Sequence, residues 1–152
     1  MKNINSQKGR VLLYSQILLM FIVIFAPYGN KRNSYLAGIG IIIIFGSIVI
    51  FWKAKRDLQK AFYPYPEPKV GAPFITSGIY NQIRHPMYFS FLAGSLGLAL
   101  FKQTLLVATS FILLTLVLKL KYQFEDFLLR NRWEEAIPYQ NQVPALIPRW
   151  RK

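Results

Sequence analysis

Ile75-Thr76-Ser77-Gly78-Ile79-Tyr80-Asn81-Gln82-Ile83-Arg84-His85-Pro86-Met87-Tyr88 is a polar passage set between long apolar runs. It holds the single histidine of the chain, with an arginine before it and a proline after it. Pro86 keeps His85 out of the α region. It also suits the first turn of a helix, where its missing N–H is no loss. The stretch therefore predicts a helix that starts at Pro86 and runs through Met87 to Phe101, with His85 at its mouth. Arg84, His85 and the first free backbone N–H groups then converge on a helix N-terminus, which favours anions. His85 as a plain helix-start residue at a membrane interface fits the spacing equally well.

Two apolar runs lie upstream of this passage and two downstream. Val11 to Pro27 follows a short basic start; it lacks a small-x-small cleavage site and is long for a signal peptide, so it reads as a first membrane helix. Tyr35 to Trp52, dense in isoleucine, is the second, closed by an interfacial tryptophan. Gly38, Gly40, Gly46 and Ser47 offer close helix contact. Lys53 to Lys60 reads as an extension of that helix into the headgroup region, and the alternating prolines of Tyr63 to Pro68 break it. Pro86–Phe101 and Thr104–Leu120 are the third and fourth runs, each shorter than the ~20 residues usual for a span. Only Lys102 and Gln103 separate them, which demands a tight antiparallel hairpin. Ser90 with Gly94, and Ala93 with Gly97, are small-residue pairs suited to close packing. The expected fold is all-α: a polytopic membrane protein with helices at about 11–27, 35–52, 86–101 and 104–120, forming one domain over 1–152 with a C-terminal cytoplasmic helical segment.

Composition agrees. Of 152 residues 53% are apolar, and Lys+Arg number 19 against 6 Asp+Glu, for a net charge of +13. Such a surplus suits a nucleic-acid binder or a membrane protein, but the basic residues fall almost wholly between apolar runs, which selects the membrane. Sixteen basic residues lie on one side of a four-span arrangement, and only Lys31, Arg32 and Lys102 on the other. The positive-inside tendency then puts both termini and the His85 passage in the cytoplasm, with all six acidic residues. With no cysteine and one histidine, disulfides, a thiol nucleophile and a protein-bound transition metal are not expected.

Beyond the fourth run, Lys119 to Leu129 continues the helix out of the bilayer. Lys121 and Glu125, four apart, share a face; on pattern alone they read as an exposed pair worth a few tenths of a kcal/mol. Glu134 and Glu135 read as a solvated face. Val143-Pro144-Ala145-Leu146-Ile147-Pro148 is an apolar tail, and Trp150 between arginines suits the interface.

The passage at 75–88 resembles the first signature of the isoprenylcysteine carboxyl methyltransferase family and of the related phospholipid methyltransferases. Glu125-Asp126, Tyr139 and the tail at 143–148 resemble that family's second signature, after a helical hairpin as in the family. The resemblance implies an integral membrane methyltransferase using S-adenosyl-L-methionine on a lipophilic small-molecule or lipid-modified acceptor, with no nucleic acid or metal. It carries the family's cofactor-binding histidine and tyrosine onto His85 and Tyr88, its acidic residue onto Glu125, and its basic residue onto Lys121, where many members have arginine. Ile79, Ser90 and Ala136 also depart from the family pattern, and the Trp133–Val143 spacing is one residue short.

Glu125 and Lys121 are thus the candidate catalytic residues. His85, Tyr88, Arg84, Tyr80 and Glu125 are the candidate cofactor-binding residues, with Arg84 and the Pro86 helix start suited to the cofactor's carboxylate. Other classes stay open at this point: a nicotinamide-dependent membrane reductase of sterol-reductase type, or a non-enzymatic protein that binds anionic lipid.

Overall fold

A computed structural model describes residues 2–58, 61, 63–66 and 71–147. Pro148, Trp150 and most of the proline-rich 59–70 segment lie outside the described residues. Five α-helices follow in order: α1 (Lys2–Phe25), α2 (Ser34–Leu58), α3 (Pro86–Lys102), α4 (Leu105–Arg130) and α5 (Ala136–Gln142). A 3-10 turn, Gly78–Asn81, precedes α3.

Among the described residues three helices are long and apolar enough to cross a membrane: Gln7–Phe25, Ser34–Leu58 and Leu105–Arg130. α3 has 17 residues, ~26 Å at 1.5 Å per residue, a little short of the hydrocarbon thickness. It nevertheless runs antiparallel along α2, from Phe91 against Phe51 to Gly97 against Gly40. The buried residues of α2 are Gly40, Ser47 and Ala54, one every seven, so its inner seam is made of small side chains. A Cβ on Gly40 would stand 2.5 Å from the Gly97 carbonyl oxygen, and one on Gly97 2.7 Å from that of Gly40. Backbones this close admit no side chain between them. Gly38 and Gly46 have nothing within 4 Å of a Cβ and take no part in the seam. Outward faces stay apolar, with Ile42, Phe45 and Val49 exposed, as lipid contact requires.

α1 packs on α4, where Val23 and Ala26 meet Val107. The hairpin between α3 and α4 turns on Gln103, which adopts a left-handed conformation (φ 53°). Thr104 then caps α4, its side chain accepting from Val107 N. The other loop at this end is stitched to the hairpin: Gly29 N donates to Lys102 O, and Gln103 Nε2 to Asn33 O. Lys102 is buried and donates to Ile24 O and Ala26 O, satisfying carbonyls at the end of α1 that have no intrahelical partner. Lys31, Arg32 and Lys102 thus share one end of the bundle, and the His85 passage lies at the other.

Helix boundaries extend past the apolar runs at that second end. α2 continues to Leu58 and α4 to Arg130, as the Lys53–Lys60 and Lys119–Leu129 readings expected. α1 begins at Lys2, nine residues before Val11. These extensions build the polar layer that holds the site.

Candidate functional site

Asp57, on the last turn of α2, organises the approach to His85. Its Oδ2 accepts from Ile79 N at 2.8 Å. Gly78 enters with φ 64°, and a Cβ there would run into the Asp57 carboxylate, so glycine is needed on two counts. Tyr80 is then buried against Ala54, and Tyr139 Oη donates to the Tyr80 carbonyl at 2.6 Å. Burial, then the nearby Glu125 carboxylate, push the Tyr80 hydroxyl above its ordinary range. Burial does the same to Tyr139, with Arg84 opposing. Both phenols stay neutral donors at physiological pH. His85 takes φ −122° and ψ 60°, outside the helical region, and Pro86 opens α3.

Adjacent carboxylates on α4 diverge by ~100° around the helix and take different partners. Asp126 faces the passage: its Oδ2 lies 2.8 Å from Arg84 Nη2, and its Oδ1 2.9 Å from His85 Nε2. A carboxylate only accepts, so Nε2 carries the hydrogen here. The other ring nitrogen, Nδ1, lies 3.8 Å from Glu125 Oε2. Glu125 Oε2 also accepts from Tyr88 Oη at 2.6 Å. The imidazole stacks on the Tyr88 ring, centroids 5.4 Å apart and planes at 15°, and meets Tyr122 at 5.5 Å. His85 is 4% exposed and held on every side.

Arg84 is a strut between helices and tail. Nη1 donates to the carbonyls of Gln140 (2.5 Å) and Val143 (2.7 Å). Arg84 N and His85 N donate to Pro144 O and Ala145 O, at 2.9 and 3.0 Å. The apolar tail is thereby strapped across the passage. Gln140 completes the knot through Arg130 Nε and the Asp126 carbonyl. Arg84 Nε is buried with no partner among the described residues.

Lys121 is not a solvated residue: it is 1% exposed. The stripe Val107, Ser110, Leu114, Leu118, Lys121 forms the buried face of α4, and its helical phase carries the lysine inward. Nζ donates to Gln16 Oε1 at 2.7 Å and Pro64 O at 3.1 Å, and lies 5.4 Å from the Tyr88 ring centroid. No ion pair within 4 Å joins it to Glu125 among the described residues. Glu134 and Glu135 are exposed.

Two cavities meet at this centre. The first lies between α1, α2, α3 and α4 and is bordered by Leu13, Gln16, Phe51, His85, Tyr88, Phe91 and Lys121. The second is rich in aromatic side chains, among them Tyr65, Phe74, Trp133 and Tyr139. Phe74 stacks on Trp133 at 5.3 Å and meets Tyr139 edge-on. Leu58, Tyr63, Tyr80, Arg84 and Glu125 border both. Every candidate from the sequence, Arg84, His85, Tyr88, Tyr80, Lys121 and Glu125, therefore lines the first cavity. Asp126, Gln140 and Gln16 were not among those candidates. Among the described residues no cluster of three or more His, Cys, Asp or Glu side chains is placed to hold a metal.

The architecture and the site define a helical integral membrane protein with a buried polar centre at one end of its bundle. The family model for phospholipid methyltransferase matches residues 35–136, and the chain belongs to that family, one of membrane methyltransferases. It is also similar to the cobalt-zinc-cadmium resistance protein CzcN of Cupriavidus metallidurans, 35% identical over 79 residues, covering 49% of this chain. The chain spans about a third of that relative's length, 35%.

Proposed function

We propose that the chain is an S-adenosylmethionine-dependent methyltransferase acting on a lipophilic acceptor, with its site and both termini in the cytoplasm. The observation that carries this reading is the junction of an aromatic cavity and a largely apolar one at Tyr80, Arg84 and Glu125. The residues there fit the cofactor's groups. The orphaned Arg84 Nε suits a carboxylate, since a charged donor makes the stronger bond. Glu125, its side chain 28% exposed, suits an ammonium or ribose hydroxyls. The Phe74–Trp133 pair suits an adenine face, and His85 and Tyr88 border the path between the cavities.

When bound, the cofactor supplies a methyl group on a positively charged sulfur, whose departure as a neutral thioether needs no acid. The chain's task is therefore orientation and exclusion of water, which supply ~7–11 kcal/mol in well-oriented reactions. Asp126 holds the His85 ring through Nε2, and the Tyr88 and Tyr122 rings fix its plane. Tyr88 holds Glu125. Phe51 and Phe91 form an apolar wall shared with a third cavity, among α1, α2 and α3. That space, lined by Met20, Ile44 and Leu98, supports an apolar acceptor chain.

Detergent-purified protein should bind labelled S-adenosylmethionine and not NADPH, and should move label into a host lipid extract. Binding of NADPH alone, or no transfer into any lipid fraction, overturns the reading. Orientation has its own test. A reporter fused after Lys152 should report cytoplasm, and one inserted at Lys102 the opposite side. Finding both on one side would contradict the 16-to-3 division of basic residues.

A further inference from the structure

The first cavity has a polar corner outside the signature residues. Gln16 lies on α1, beyond the family-matched residues 35–136, in a run that is otherwise almost wholly apolar. It is 4% exposed, and its Oε1 accepts from Lys121 Nζ at 2.7 Å. Lys121 uses a second N–H on Pro64 O. Both partners are neutral oxygens. An ammonium has three N–H groups; beyond these two oxygens Nζ neighbours the Tyr88 ring, its centroid 5.4 Å away, so no third oxygen holds it among the described residues. Gln16 and Lys121 both border the cavity. One helical turn on, Glu125 directs Oε2 to Tyr88. Burial disfavours the Lys121 ammonium and the nearby Glu125 charge supports it only in part, with no direct ion pair between them among the described residues, so a further opposite charge at the cavity wall is favourable.

We propose that Gln16 is a specificity-determining positioning residue. It fixes the Lys121 ammonium at the cavity wall, so that the cavity takes an amphiphile with an anionic oxygen head, carboxylate or phosphate, over a cationic amine. Calling that amphiphile the methyl acceptor rests on the methyltransferase reading; the anion site does not. The amide matters because it holds the ammonium without neutralising it. A carboxylate at position 16 would make an ion pair and leave less charge for a ligand. An anionic head gains a charge-assisted hydrogen bond from the N–H that has no oxygen acceptor, whereas an amine head meets a like charge, the repulsive element that discrimination needs.

The test measures binding of dodecanoate, dodecyl phosphate and dodecylamine to the full chain in a neutral detergent, beside S-adenosylmethionine. Wild type should bind at least one of the two anions about tenfold or more tighter than the amine, and whichever anion binds tighter identifies the head group. Gln16→Glu should lower anion affinity by about tenfold and abolish the preference, with S-adenosylmethionine affinity unchanged. Gln16→Met, similar in length but without the hydrogen bond, should weaken the preference too, and covers the case in which Gln16→Glu fails to fold. Equal wild-type affinity for amine and anions, or a preference that survives in a folded Gln16 variant, overturns the proposal. Failure of wild type to bind S-adenosylmethionine would instead overturn the methyltransferase reading and leave the anion preference to be judged by its own result.

Discussion

Replacing Asp126 with alanine is expected to be the most destabilising single change at this site, by about 3 kcal/mol, the lower end for breaking a buried ion pair from one side. The lower end applies because the Arg84 and Asp126 side chains keep 12% and 11% of their exposure. The loss has two sources. Arg84 would keep its bonds to Gln140 O and Val143 O but lose the carboxylate that balances its charge. His85 Nε2, in a residue only 4% exposed, would lose its acceptor, and an unsatisfied buried donor is itself unfavourable. Because Arg84 also straps the tail, the segment at 143–147 should open before the bundle does. Thermal unfolding in detergent reads the first effect, and hydrogen exchange at Arg84 and His85, whose amides bond the tail, reads the second. Asp126→Asn keeps the shape and one acceptor, so it should fall between alanine and wild type. A loss under about 1 kcal/mol for alanine would mean that solvent screens the pair as it does at a surface.

The helical bundle was legible because membrane helices announce themselves by length and uniform apolarity, and because Pro86 marks a helix start by its own chemistry. Ends were less evenly legible: the basic continuations of α2 and α4 were readable from their sequence, whereas α1 starts at Lys2, in polar sequence where apolarity no longer signals a helix. Lys121 shows the same limit. From Leu105 to Leu118 the helix is apolar nearly all round, so its inner face has no contrast, and the lysine looked like part of a solvated pair. The stripe through Ser110 and Leu114 settles its phase, yet only the partner helix shows which face is inner. Gln16 carried a readable signal, an amide in an apolar run. Its partner stands 105 positions away, and no local spacing could pair the two. Glu125 and Asp126 were visible as neighbours; which of them meets His85 through a hydrogen bond depends on the roll of α4 against the passage.

Glu125→Gln is expected to lower methyl transfer about a hundredfold, ~2.7 kcal/mol of transition-state stabilisation. Unlike Asp126, Glu125 belongs to no closed network. One oxygen accepts from Tyr88, and the side chain is open enough, at 28%, to meet a ligand where the two cavities join. Glutamine fills the same volume and can still accept from Tyr88, so stability should change by no more than about 1 kcal/mol, the upper end for a solvent-screened charge. What disappears is a negative charge beside the His85 Nδ1 and within reach of a cationic cofactor. If that charge holds the cofactor's ammonium, cofactor affinity should weaken together with turnover. If its action is confined to the transition state, the maximal rate should fall while the affinity stays. Both outcomes keep Glu125 at the reacting centre. A folded Glu125→Gln protein with near-full methyl transfer would reduce Glu125 to a tether for Tyr88. The chemistry would then have to be sought at the Lys121 wall of the first cavity, where the ammonium and Gln16 remain intact.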